Sequence, residues 1–287
     1  MAGVVMTLAG FAFKIAAAPF HLWAPDTYQV APAPSAAFIA SGSKVASFFV
    51  LGKILLVAFA PADGLLWLRF DPGWFPVVAL VSALSIVIGN IAALAQTNLR
   101  RLLAYSAVAH AGYTLLGLLA TGAEGYAATL FYTTVYAFTL TGAFGVIALV
   151  RRETGGDNIA NFTALAKRSP FLAACMAIFF LSLAGLPPFA GFFGKFYLFT
   201  AILHSGESHA GVFLVTLALA GSLVSLYYYL SVLRVIFVDQ PADEAIALPP
   251  VKIDAIQQIT LTLLALIIVA LGLFPDFLLT LITTALE

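Results

Sequence analysis

Charge is what this sequence has least of. Asp, Glu, Lys and Arg make up 9% of its 287 residues, against about 25% in soluble domains. Hydrophobic residues make up 62%, so too little polar surface remains to cover a globule in water. The 13 basic and 13 acidic side chains cancel, and no net field points to nucleic acid. A single cysteine, Cys175, excludes an internal disulfide framework and a clustered cysteine metal site. Several enzyme signatures are missing too. No glycine-rich phosphate loop and no Gly-x-Ser-x-Gly elbow occur, and His204 and His209 lack metal-site spacing. Nothing in the sequence suits a flavin, an iron–sulfur cluster or a nucleotide. These absences leave an all-α polytopic membrane protein.

Long apolar runs fill the rest. Spanning helices need about 17–25 such residues, and eight runs qualify: 2–20, 34–60, 74–97, 99–120, 125–150, 170–203, 210–238 and 255–283. The runs are continuous rather than alternating, which excludes a membrane barrel. The first has no basic residue ahead of it, and Lys14 interrupts it, unlike a signal peptide. One set of connections carries Arg100, Arg101, Arg151, Arg152, Lys167, Arg168, Arg234 and Lys252. The other carries only Arg69, with Asp63, Asp71, Glu124 and Glu207 nearby. Basic residues stay on the cytoplasmic side, so eight crossings place both termini outside.

Two runs read as broken helices. Ala18-Pro19-Phe20-His21-Leu22-Trp23-Ala24-Pro25-Asp26 interrupts the first, with Pro32 and Pro34 beyond it. Residues 170–203 would extend about 51 Å as one helix, against a hydrocarbon core of about 30 Å. Their middle is Gly185-Leu186-Pro187-Pro188, where prolines remove backbone donors. Broken helices at membrane depth line cavities or pack within protein, and they mark transport pathways. A kinked packing helix is the plainer alternative.

Ionisable residues inside the spans favour transport. Lys14 precedes Pro19 by five residues, Lys195 follows Pro188 by seven, and Lys44 sits ten residues into the second span. A lysine at the bilayer centre costs about 2.5–3.5 kcal/mol on insertion scales. The alternative for each is a snorkelling stem or a structural hydrogen bond, and for Lys53, nearer the outer end, snorkelling is at least as good. A lysine held between desolvation and a movable carboxylate can load and release a proton. His110 adds a group of a type whose unperturbed titration lies near neutrality, or else a structural donor. His21 and Asp26, in the first break, lie on a proton uptake route or cap the second half-helix. Thr133, Thr134, Tyr136 and the run Tyr227-Tyr228-Tyr229 read as packing groups with a water-ordering role.

Three strings carry a resemblance: FKIAAAPFHLWAPDTYQVAPAP (13–34), QTNLRRLLAYSAVAHAGY (96–113) and LAGLPPFAGFFGKFYLF (183–199). They resemble the antiporter-like subunits of respiratory complex I, the type-I NADH:quinone oxidoreductase. Asp26-Thr27-Tyr28-Gln29, Gln96-Thr97-Asn98 and the lysine at 195 favour the N branch of that family over its L and M branches. The resemblance implies a fourteen-helix fold with two inverted five-helix repeats, each holding one broken helix. Residues 1–60 would then be the remnant of the first repeat, 74–238 the second repeat with its broken helix at 170–203, and 255–287 the C-terminal transmembrane helix.

Position by position, the resemblance makes Lys14, Lys44 and Lys195 the lysines of the seventh, eighth and broken twelfth family helices. Together they form a proton relay, in which Lys14 serves the first half-channel, Lys44 the link and Lys195 the exit side. His110 matches a tenth-helix histidine of the same relay. The chain begins at the seventh family helix, so the fifth-helix glutamate that pairs with Lys14 is expected from elsewhere. The implied protein is a proton-translocating subunit of the bacterial inner membrane with no redox centre of its own. NADH, FMN, iron–sulfur clusters and quinone belong to partner subunits, and its contacts are other membrane-arm subunits and lipid. A subunit of a multi-subunit Na⁺/H⁺ antiporter or membrane-bound hydrogenase is the alternative, and a truncated non-conducting structural subunit a third.

Overall fold

The computed structural model describes residues 2–64, 73–120, 122–205, 208–240 and 251–286, with the side chains of Ser208 and His209 left undescribed. Arg69, Asp71 and Glu207 of the charge reading lie outside these residues, as does the side chain of His209. Among the described residues there are helices, turns and a single isolated bridge, Asn98 to Asn158.

Six helices are long and apolar enough to cross a membrane: Ala33–Ala58, Trp74–Leu94, Leu99–Leu119, Ala123–Thr154, Ala210–Phe237 and Ala255–Leu273. The two regions expected to break are pairs of half-helices. The first pair is α1 (Ala2–Lys14) and α2 (Trp23–Val30). Between them Ala16 takes a left-handed φ of 58°. Backbone donors freed by the break are satisfied within protein, with the Ala17 amide donating to Ala12 O at 2.8 Å and the Ala18 amide to Ser85 Oγ at 2.9 Å. Such satisfaction is what lets irregular backbone persist away from water.

The second run holds a discontinuity that its sequence did not announce. It divides into α3 (Ala33–Ala40) and α4 (Gly42–Lys53), with Ser41 off the helical values at φ −114° and ψ −86°. Lys44 follows by three residues. A π-helical turn, Ile54–Ala58, closes the run. Then come α5 (Trp74–Leu94), α6 (Leu99–Leu119) and α7 (Ala123–Thr154).

A short helix, α8 (Leu165–Arg168), leads into the second broken pair, α9 (Pro170–Ala184) and α10 (Ala190–His204). The chain continues through α11 (Ser208–Phe237) to α12 (Ala255–Leu273) and α13 (Pro275–Leu286). The run read as one helix over 255–283 is therefore two helices meeting at Phe274. Pro275 disfavours helical dihedrals in the residue before it, and Phe274 has φ −127° and ψ 63°.

α6 is the central post, buried nearly along its whole length. Glycines let its neighbours approach closely. A Cβ on Gly89 of α5 would stand 2.4 Å from the Ala109 backbone nitrogen, and one on Gly112 would stand 2.7 Å from Ser82 O. Against α6 pack α2, α5, α7, α10 and α11. Two hydrophobic clusters share it, one reaching toward α9 and α12, the other toward α1 and α4.

Candidate functional site

The break between α9 and α10 builds the seat of Lys195. A helix leaves its last carbonyls without intrahelical partners and carries partial negative charge there. Gly185 turns the chain with a left-handed φ of 84°. Ala184, the last residue of α9, then offers its carbonyl to the Lys195 ammonium at 3.0 Å. On the far side Gly191 must be glycine, because a Cβ there would lie 1.9 Å from Ser182 O. Its amide donates to Ser182 Oγ at 3.2 Å. Lys195 is only 5% exposed, and its Nζ lies 5.1 Å from the centroid of the Tyr113 ring.

Lys44 reaches the same centre from α4. It is 3% exposed, donates to the Ala107 carbonyl at 2.7 Å, and lies 5.7 Å from the centroid of the Tyr136 ring. Between the two lysines stands His110, 2% exposed. Its ring centroid is 5.0 Å from that of Tyr136 and 5.7 Å from that of Tyr113. The series Lys44, Tyr136, His110, Tyr113, Lys195 thus runs in steps of 5.0–5.7 Å measured to ring centroids. Aromatic faces attract cations, more strongly where water is excluded, so the rings stabilise both ammoniums. Hydroxyls surround the histidine. Tyr132 Oη is 2.6 Å from Nδ1 and Tyr229 Oη is 3.4 Å from Nε2. Tyr229 is also hydrogen-bonded to Ser106. His110, Tyr132, Tyr136, Ser182 and Gly191 line a cavity of about 10 Å³, close to the least space that holds one water.

The other expected residues lie apart. Lys14 ends α1 and is exposed, lining an open groove with Phe11, Phe38, Ser43 and Ser47. Among the described residues it has no ion-pair partner, and neither do Lys44 and Lys195. His21 is buried in the first break with Nδ1 unpaired, and its ring meets that of Tyr105 edge-on at 6.4 Å. Its carbonyl accepts from the Ala24 amide at 3.0 Å in the first turn of α2, which begins without a side-chain cap. Asp26 pairs with Arg101 at 2.5 Å, on a side chain 71% exposed. Of the tyrosine run, Tyr228 and Tyr229 join the buried centre, while Tyr227 is 68% exposed.

Three residues escaped the sequence reading. Tyr132 lies four residues before Tyr136, on the same helix face. Asn90 is a polar side chain in the middle of an apolar span, which was itself a signal. Asp157 did not figure in the charge reading, yet it is 6% exposed and joins Arg151 at 2.7 Å and the buried Arg100 at 3.5 Å. Arg100 also donates to Ala31 O, so this ion cluster ties the end of α2 to α6 and α7. Among the described residues no three His, Cys, Asp or Glu side chains group as metal ligands.

Comparison with known proteins places this geometry. The family model described as NADH:quinone oxidoreductase/Mrp antiporter, TM matches residues 1–223. NADH-quinone oxidoreductase subunit N 2 of Acidobacterium capsulatum is 50% identical over 280 residues, covering 97% of this chain and 56% of that protein. A chain of respiratory complex I from Thermus thermophilus with bound aureothin superposes with a TM-score of 0.77 at 34% identity. That alignment covers 94% of this chain and 56% of that one. A chain of the Mrp complex from Dietzia sp. DQ12-45-1b reaches a TM-score of 0.85, over 99% of this chain and 58% of that one. At 24% identity it speaks for the fold alone. The chain spans little more than half the length of these proteins. Matched over most of its length and carrying both broken helices, it belongs to the NADH:quinone oxidoreductase/Mrp antiporter transmembrane family.

Proposed function

We propose that the chain acts as a proton-translocating subunit in the membrane arm of a NADH:quinone oxidoreductase. The observation that carries this reading is the buried series from Lys44 through His110 to Lys195. Two ammoniums share a water-poor centre with a histidine, with no carboxylate paired to either among the described residues. Each is held by one backbone carbonyl and one aromatic face. Their charge states then depend on whichever charge or water approaches next, which is the property a relay requires. Hydroxyls of Tyr132, Tyr229 and Ser106 supply groups that both donate and accept.

Lys14 meets a carboxylate supplied by a neighbouring helix across the open groove beside α4. The exposure of Lys14 there supports that reading. Lys44 links the halves, and Lys195 serves the exit side. His21 and Asp26 lie on the uptake side, since Asp26 pairs with Arg101 at the basic end of the bundle. That end faces the cytoplasm of a bacterial inner membrane, which puts residues 2 and 286 outside. Residues 1–60 correspond to the remnant of one antiporter-like repeat, 74–238 to the second, and 255–287 to the C-terminal membrane segment. Redox chemistry with NADH, FMN, iron–sulfur clusters and quinone belongs to partner subunits, and no step of it passes through these residues.

The test is Lys195→Ala in assembled complex, reading protons moved per NADH oxidised in inverted membrane vesicles. A loss of proton movement that exceeds any loss of NADH oxidation is expected. An unchanged ratio removes Lys195 from the relay. Sodium-dependent proton exchange without NADH oxidation would instead assign the chain to an antiporter.

A further inference from the structure

We propose that Asn90 is a positioning residue that fixes the hydroxyl orientation of Tyr113 and Tyr228, the tyrosines that flank the relay beside Lys195 and beside Tyr229; this rests on the relay reading above. Asn90 lies in the middle of α5 and is 2% exposed. Its Nδ2 donates to Ile86 O at 2.8 Å and to Tyr113 Oη at 2.8 Å. A carbonyl only accepts, so the Ile86 contact identifies the amide nitrogen and thereby the oxygen. Tyr228 Oη, 3.3 Å from Asn90 Oδ1, must then be a donor.

The consequence is an ordered polarity. A hydroxyl can turn to donate or accept, but this amide cannot rotate without breaking its bond to Ile86. Tyr228 therefore points its proton at α5. Tyr113 Oη accepts a hydrogen bond from α5 and must direct its own proton elsewhere. On one side, the Tyr228 and Tyr229 rings lie 4.6 Å apart, and Tyr229 bonds Ser106 and faces His110 Nε2. On the other side, Tyr113 presents its ring face to the Lys195 ammonium, so the orientation of Tyr113 bears on that charge through the ring. Space for the contact is reserved from a third helix. A Cβ on Gly221 of α11 would stand 2.8 Å from both Asn90 Nδ2 and Tyr113 Oη. Asn90 touches neither lysine nor histidine. Its effect passes through the two tyrosines.

The experiment compares Asn90→Leu, similar in size but apolar, with Asn90→Asp, similar in size but without the amide donors. Both are made in the assembled complex, with Lys195→Ala as a parallel control. Protons moved per NADH oxidised is the readout, because it does not scale with the amount of complex assembled. Both Asn90 variants should lower the ratio by about fivefold, the worth of one net hydrogen bond. Adding Tyr228→Phe to Asn90→Leu should lower it no further, since both remove the same link. Infrared difference spectra should show the tyrosine C–O–H bands of Tyr113 and Tyr228 displaced in Asn90→Leu. An unchanged ratio in both Asn90 variants, or a further full loss in the double variant, overturns the proposal. Should an Asn90 variant fail to assemble, Tyr113→Phe and Tyr228→Phe each remove one hydroxyl and must lower the ratio by a similar factor. Failure of Lys195→Ala to lower the ratio would strike the relay reading itself. A loss there with intact Asn90 variants strikes this proposal alone.

Discussion

Lys195 closes the gap that its own broken helix opens: its ammonium donates to the carbonyl of Ala184, eleven residues earlier, at 3.0 Å. The acceptor exists because α9 stops at Ala184, and the helix stops because Gly185 turns and two prolines follow. The chain break and the buried charge are one device. Without the break, the Ala184 carbonyl would be taken by the next helical turn.

Gly185→Ala tests that device. Alanine at a left-handed φ of 84° costs about 1–2 kcal/mol, and its Cβ would lie 2.9 Å from Lys195 Cδ. The variant should lower the thermal unfolding midpoint of detergent-solubilised complex and reduce proton movement per NADH oxidised. A variant matching the parent in both would show that the turn does not seat the lysine.

Lys44 separates charge from titration. Lys44→Arg keeps a positive group but cannot release its proton near neutral pH. Lys44→Met keeps most of the apolar stem and removes the charge. Both should assemble and both should lose proton movement, by about tenfold or more, equivalent to about 1.4 kcal/mol. Activity retained in Lys44→Arg would assign Lys44 a fixed electrostatic role, read from the same vesicle assay.

Tyr132→Phe removes the nearest partner of His110 Nδ1, 2.6 Å away. One net hydrogen bond is worth about 1 kcal/mol, so proton movement should fall by about fivefold while NADH oxidation falls less. Tyr227→Phe, on a side chain 68% exposed, should change neither. Equal effects of the two would show that tyrosine hydroxyls act here without regard to position.

At the basic end of the bundle, burial decides which ion pair matters. Asp157→Ala leaves the buried Arg100 without its counter-ion, which destabilises by about 3–5 kcal/mol. Arg101→Ala breaks a pair whose Asp26 side chain is 71% exposed, worth less than about 1 kcal/mol. Blue-native gels of membranes should show assembled complex depleted in the first variant and near parental in the second. The reverse order would refute burial as the deciding variable.

Much of this was legible in composition and spacing. The scarcity of charge required a membrane, because a chain this apolar cannot cover itself with polar surface. The positions of the apolar runs placed most of the helices, and the prolines placed the breaks before α2 and before α10, but the divisions at Ser41 and Phe274 went unread. Lysines in apolar runs were visible as candidates because their presence there costs free energy locally, whatever the fold.

What the sequence by itself determined was therefore one-dimensional: which segments leave water, where a helix cannot continue, and which charges are out of place. Only the tertiary structure decided which of those charges share a centre. It brought Lys44 and Lys195 to opposite sides of His110 while leaving Lys14 on the outer face. It also split the tyrosine run, made Asn90 a hub, and buried Asp157 beneath two arginines. The physical reason is rotation about helix axes. Segments of similar apolarity all round carry little periodic signal for which face turns inward. Close contacts at Gly89, Gly112, Gly194 and Gly221 accompany that choice, and they form between residues far apart in the chain.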